Sequence, residues 1–103
     1  MHLTFKNKKI TGVLSVLPEN EIRFSEEIGN YNFTEKQSVK LGKIMGYGTQ
    51  RIVNSNTCVS DLCVFGMNYL FDNNLLDKES IGALVLCTQS PDYFLPATSN
   101  VIS

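Results

Sequence analysis

The chain has 103 residues, 43% of them apolar and 18% charged, an ordinary globular composition with room for one small domain. Nine Lys and Arg stand against ten Asp and Glu, and the only local basic run, Lys6 to Lys9 around Asn7, reads as the solvated start of a first strand, so nucleic acid is not an expected partner. No stretch approaches the roughly 20 apolar residues that cross a bilayer and no secretory signal opens the chain, so neither a membrane nor an extracellular setting is expected and the location reads as cytoplasmic.

Lys9 to Leu17 (KITGVLSVL) alternates and then runs apolar, rich in β-branched side chains, until Pro18-Glu19-Asn20 stops it; this predicts a buried first strand entering a turn. Glu21 to Asn32 is mixed, and its apolar points Ile22, Phe24 and Ile28 predict a short helical turn that Gly29-Asn30 ends. Thr34 stands three residues before Gln37, the spacing of a capping box, ahead of Val39, Leu41, Ile44 and Met45. A helix over Glu35 to Met45 is predicted, stopped by Gly46 and Gly48.

Thr49 to Val53 suits a short strand, and Asn54-Ser55-Asn56-Thr57 offers several side chains able to cap the next helix. Between Cys58 and Leu75, one face carries Cys58, Leu62, Phe65 and Tyr69, and a neighbouring face carries Val59, Cys63, Met67 and Leu70. So wide a stripe predicts a helix covered on two sides. Asp77 to Ser80 makes a polar turn, Ala83 to Cys87 (ALVLC) is continuously apolar as parallel strands are, and Pro96 to Ser103 resembles the opening of another helix.

Strand, helix and strand in this order form βαβ units. The expected class is α/β with a mostly parallel sheet, and three strands with two helices leave it incomplete.

Thr88-Gln89-Ser90-Pro91-Asp92-Tyr93, directly after the last apolar strand and followed by Leu95-Pro96-Ala97-Thr98, resembles the loop after the third strand in β-ketoacyl-acyl carrier protein synthase III enzymes. Ser60-Asp61-Leu62 is similar to the opening of that family's second N-terminal helix, and Asn74-Leu75-Leu76-Asp77 to the turn closing it. Gly46-Tyr47-Gly48-Thr49-Gln50-Arg51-Ile52 resembles the family segment Gly-Ile-Arg-Glu-Arg-Arg-Ile. Ile10-Thr11-Gly12 with Leu17-Pro18-Glu19 resembles its opening strand and turn. These words, in order and at matching separations, cover nearly all of the chain.

The resemblance implies a partial thiolase-like fold, with residues 1–103 as the N-terminal portion of the domain, cut before the nucleophile segment. It implies an acyltransferase, joining an acyl thioester (acyl-CoA or acyl carrier protein) to malonyl-acyl carrier protein, with acyl carrier protein as partner, a homodimer as assembly and no bound cofactor or metal. In such enzymes a cysteine at the start of a buried helix takes the acyl group, and a His and an Asn assist decarboxylation. Those positions are expected beyond Ser103, so no catalytic residue is assigned within the chain, which alone is expected to be inactive. Two neighbouring readings share the same residues: a stand-alone interaction module without catalysis, and a related thioester condensation such as that of hydroxymethylglutaryl-coenzyme A synthases.

By resemblance, Arg51 matches an arginine near the mouth of the cofactor tunnel, and Leu95 a position that crosses the dimer interface to line the partner's acyl pocket; ordinary packing before Pro96 explains Leu95 equally well. The family's Trp and Arg that grip the adenine end of coenzyme A correspond here to Lys40 and Gly48, which puts a coenzyme A-bound donor in doubt. The three cysteines, Cys58, Cys63 and Cys87, lack the spacing of a zinc site or a disulfide framework. Cys87 reads as a core thiol, and Cys58 lies at a helix start. Gly46 and Gly48 read as a helix stop and not as a phosphate loop. Asp92 and Glu79 read as isolated loop acids.

Overall fold

The computed structural model describes residues 2–103. In chain order it contains β1 (Asn20–Arg23), α1 (Phe24–Glu27), a 3-10 turn (Ile28–Asn30), α2 (Glu35–Met45), β2 (Thr49–Ile52), α3 (Val59–Asp72), a second 3-10 turn (Lys78–Ser80) and α4 (Thr98–Ile102).

Helix α2 has the predicted bounds because both of its ends are chemically fixed. At its start the Gln37 amide donates to Thr34 Oγ1 at 3.3 Å, while the Thr34 amide donates to Gln37 Oε1 at 3.0 Å, so two otherwise orphaned donors are satisfied. At its end Gly46 takes φ 71°, and its amide donates to the Gly42 carbonyl, a left-handed cap that a side chain would strain.

Strands β1 and β2 pair antiparallel, with Glu21 opposite Arg51 and Ile22 opposite Gln50. From this ribbon the Phe24 amide donates to the Gly48 carbonyl at 2.8 Å, and Gln50 Nε2 donates to Glu27 Oε2 at 3.0 Å. Phe24, 6% exposed, is thereby turned inward against α2, and it is the one enclosed apolar side chain among the described residues. Its ring lies on the bare backbone of Gly42, where a methyl group would sit 2.5 Å from Cε1. Tyr31 and Tyr47 flank it with ring centroids at 5.7 and 5.2 Å, within the range of favourable tilted aromatic pairs. One turn away, the Ser38 hydroxyl is buried without a hydrogen-bond partner.

A second cluster forms on α3. Gly66 is its buried position: a methyl there would lie 2.9 Å from Val16 Cγ2 and 3.4 Å from Leu14 Cδ2. The extended segments 9–17 and 83–87 both approach this helix, and Leu14, Val16, Leu84 and Leu86 join Leu62 and Met67 around an open groove of about 460 Å³. Helix α4 packs against α3.

Several expectations change here. The sheet that forms is antiparallel and joins β1 to β2, whereas the segments predicted as parallel strands, 9–17 and 83–87, share no backbone hydrogen bond among the described residues. The strand at Asn20–Arg23 was hidden in a mixed stretch. Parallel pairs persist when both faces are covered, and here only the α3 side is: Val13 is 88% exposed, Leu17 70% and Val85 90%. Helix α3 is likewise covered on one side, leaving Phe65 and Tyr69 in solvent, and Cys87 is exposed instead of buried.

The chain presents 9340 Å² of accessible surface, against about 5,800 Å² for a compact protein of its mass. Its radius of gyration is 18.3 Å, where about 13 Å is usual for this length. No helix among the described residues is long and apolar enough to cross a membrane.

Two substitutions on α2 have opposite expected effects. Gly42→Ala gains helix propensity but forces the Phe24 ring out, for a net loss of about 1–2 kcal/mol; Ser38→Ala removes an unsatisfied buried hydroxyl and raises stability by about 1 kcal/mol. Chemical denaturation of the full-length protein measures both.

Candidate functional site

The region with most built geometry is where the loop 88–97 meets the start of α3. Sequence pattern places Ser60 and Asp61 in the first turn of that helix, where backbone N–H groups lack intrahelical partners. Asp61 reaches back, its carboxylate accepting the Cys58 amide at 2.7 Å. Asp92 supplies a second carboxylate from across the fold, with Oδ1 accepting the Ser60 amide at 3.2 Å. Both negative groups lie where the helix dipole favours them.

Asp92 is also held from behind. Its own amide donates to Thr98 Oγ1 at 3.2 Å, and Thr98 is only 3% exposed at the start of α4. Ser90 donates its amide to Thr88 Oγ1 at 3.0 Å, which tightens the turn before it. Beyond these anchors the loop projects Tyr93, Phe94 and Leu95, which are 62%, 99% and 87% exposed. Leu86, Thr88, Pro91 and Thr98 line a shallow cleft of about 280 Å³ beneath Tyr93 and Phe94.

Arg51 stands elsewhere, on β2. Its guanidinium donates to the Glu19 carbonyl at 3.0 Å and pairs with Glu21 at 2.9 Å across the ribbon, so both ends of its planar fork are engaged by β1 and the residue before it. Arg51 and Leu95 thus belong to different elements, one strand and one loop. An open cleft of about 400 Å³ lies between α1 and α2, with Phe24 and Tyr47 in its wall and Arg23 and Lys43 at its rim. Lys40 is exposed, and the Gly48 carbonyl is taken by Phe24.

The other tempting residues take structural parts. Cys58 is exposed at the N-terminal boundary of α3 with its amide bound to Asp61. Asn54 does not cap α3; its side chain accepts from the Asn56 amide at 3.0 Å and from Thr57 Oγ1 at 2.8 Å, fixing the turn before the helix. Glu79 lies in the second 3-10 turn, its amide bonded to Asp77. Asp92, read from sequence as an isolated acid, is instead the most connected residue of its loop. Its partner Ser60 lies 32 positions away, and nothing local in the sequence signals such a contact.

The two words joined by this contact, Ser60-Asp61-Leu62 and Pro91-Asp92-Tyr93, are among those on which the resemblance rests, and comparison with known proteins agrees. A Campylobacter jejuni protein provisionally named 3-oxoacyl-acyl-carrier-protein synthase 3 is 36% identical over 100 residues, covering 96% of this chain. In sequence, the chain is similar to 3-oxoacyl-acyl carrier protein synthase III proteins. A β-ketoacyl-acyl-carrier-protein synthase III of Porphyromonas gingivalis is 30% identical over 98 residues, covering 94% of the chain. The chain spans 28% of the length of each of these synthases. No family model matches it, and no solved structure does. The four helices and the short antiparallel sheet make this a mixed α and β structure.

The ribbon contacts of Arg51 give a direct expectation. Arg51→Ala releases Glu21 and the Glu19 carbonyl and lowers the stability of the full-length protein by about 1 kcal/mol or less, as for other exposed pairs. Thermal denaturation at low and high salt tests this, since the ionic part of the loss shrinks as salt rises.

Proposed function

We propose that the protein to which this chain belongs is a 3-oxoacyl-acyl carrier protein synthase III-type condensing enzyme. The observation that carries this reading is similarity to the C. jejuni relative across 96% of the chain, with the two motif words held together by Asp92. The reaction is a decarboxylative Claisen condensation. A cysteine thiolate attacks an acyl thioester and releases its thiol; malonyl-acyl carrier protein then loses carbon dioxide, and its carbanion attacks the acyl-enzyme carbonyl as the thiolate departs. Residues 1–103 serve as scaffold and part of the substrate tunnel, and the nucleophile, His and Asn lie outside them.

In this reading Leu95 stands at the acyl pocket or dimer contact and Arg51 near the tunnel mouth. The exposure of Leu95 supports its part, whereas the engagement of Arg51 by Glu19 and Glu21 favours a role in shaping the ribbon. The acyl donor is carried by acyl carrier protein in preference to coenzyme A, because Lys40 and Gly48 supply neither a stacking ring nor a guanidinium. A homodimer, a cytoplasmic setting and the absence of a bound cofactor belong to the same proposal.

The test is release of carbon dioxide from malonyl-acyl carrier protein by the full-length protein, with acyl donors of graded length on carrier protein and on coenzyme A. Release that depends on an acyl donor and disappears when the downstream cysteine becomes Ala is the expected result. An absence of release with every donor, or release that survives loss of that cysteine, rules the reaction out.

A further inference from the structure

The loop 88–97 carries three consecutive large apolar side chains that touch little of the chain. Tyr93, Phe94 and Leu95 are 62%, 99% and 87% exposed. A run of exposed apolar side chains on an irregular loop gains little from its own packing, so its place depends on backbone anchors. The anchors are few and converge on one residue.

We infer that Asp92 is the positioning residue of this loop. Its carboxylate binds the first turn of α3 through the Ser60 amide, and its amide binds Thr98 Oγ1 at the start of α4. The two bonds point in opposite directions along the chain, so Asp92 pins the loop to a long helix on one side and to a buried hydroxyl on the other. The bond to Ser60 joins an ionised acceptor to a helix N-terminal donor, a stronger class than a neutral pair. Thr98 can accept reliably because it is 3% exposed and held in place. Removing the carboxylate therefore frees the three apolar side chains relative to α3 without removing any of them.

The consequence for catalysis rests on the condensing-enzyme reading. If the acyl chain meets Leu95 and its neighbours, a freed loop changes how well acyl chains of different length are held, and leaves bond-making groups elsewhere untouched. Asp92 then acts on selectivity through the loop and is not itself a catalytic residue.

The experiment uses the full-length protein with Asp92→Ala, Asp92→Asn and Thr98→Val. Amide hydrogen exchange at Ser60 and chymotryptic cleavage after Tyr93 and Phe94 report the joint directly, independently of any activity. In Asp92→Ala both quicken by about tenfold or more, as for loss of a charge-assisted bond. Asp92→Asn, which keeps an acceptor oxygen, restores most of the protection, and Thr98→Val frees the loop but spares Ser60. Unchanged exchange and cleavage in Asp92→Ala overturn the inference; should that variant not fold, the contrast between Asp92→Asn and Thr98→Val decides it.

Activity separates the two claims. Where the wild type releases carbon dioxide, Asp92→Ala alters KM ratios among acyl lengths more than kcat, and an unaltered ratio with a freed loop overturns the selectivity role. A wild type without activity removes the condensing-enzyme reading, and the exchange result still decides the joint.

Discussion

The packing of one aromatic ring on one glycine organises the first half of the structure. Phe24 reaches α2 only because Gly42 presents no side chain, and that approach sets how far α1 stands from α2. The ribbon of β1 and β2 depends on it, since the Phe24 amide must also reach the Gly48 carbonyl at the foot of β2. Tyr31 and Tyr47 then close the two open sides of the ring. Neither hydrogen bonds nor ion pairs in this region could hold it alone: the Glu21–Arg51 pair is half-exposed and contributes little in water.

The same device recurs on α3 with different partners. Gly66 lets Val16 and Leu14 come close to the helix backbone, so an extended segment lies against a helix at a distance a larger residue would forbid. Glycine inside a helix costs about 1 kcal/mol relative to alanine, and at both positions the cost is offset by contact that only a bare backbone permits. What differs is the far side: the ring of Phe24 is enclosed, while the outer faces of the extended segments carry Val13, Leu17 and Val85 in solvent.

Much of this was legible from sequence, for identifiable reasons. The bounds of α2 could be read because Thr34, Gln37 and Gly46 each carry local chemistry that fixes a helix end. The stop at Gly29-Asn30, the strand at Thr49 and the long helix after Cys58 were equally local. The unreadable parts depended on distant partners. Asn20 to Arg23 becomes a strand because Thr49 to Ile52 pairs with it, not because its own residues alternate. Lys9 to Leu17 and Ala83 to Cys87 carry strong strand patterns yet find no backbone partner among the described residues, since pattern reports which side chains seek cover and not which edges meet. At the loop site the motif words were visible, and their physical link through Asp92 to Ser60 was not.

The separation of those two partners has a bearing on the order in which the chain can fold as it is made. Phe24, Gly42, Gly48 and their flanking tyrosines lie within a few tens of residues, so their cluster can form while α3 is still being synthesised. The start of α3 is different, because its carboxylate from Asp92 and the hydroxyl of Thr98 arrive only after the whole helix has left the ribosome. Until then the helix has Asp61 alone at its first turn and an apolar stripe without its second extended segment. The joint between the start of α3 and the loop that carries Asp92 is therefore the last to lock, and the interval before it does is when the loop's exposed aromatic side chains are most open to wrong partners.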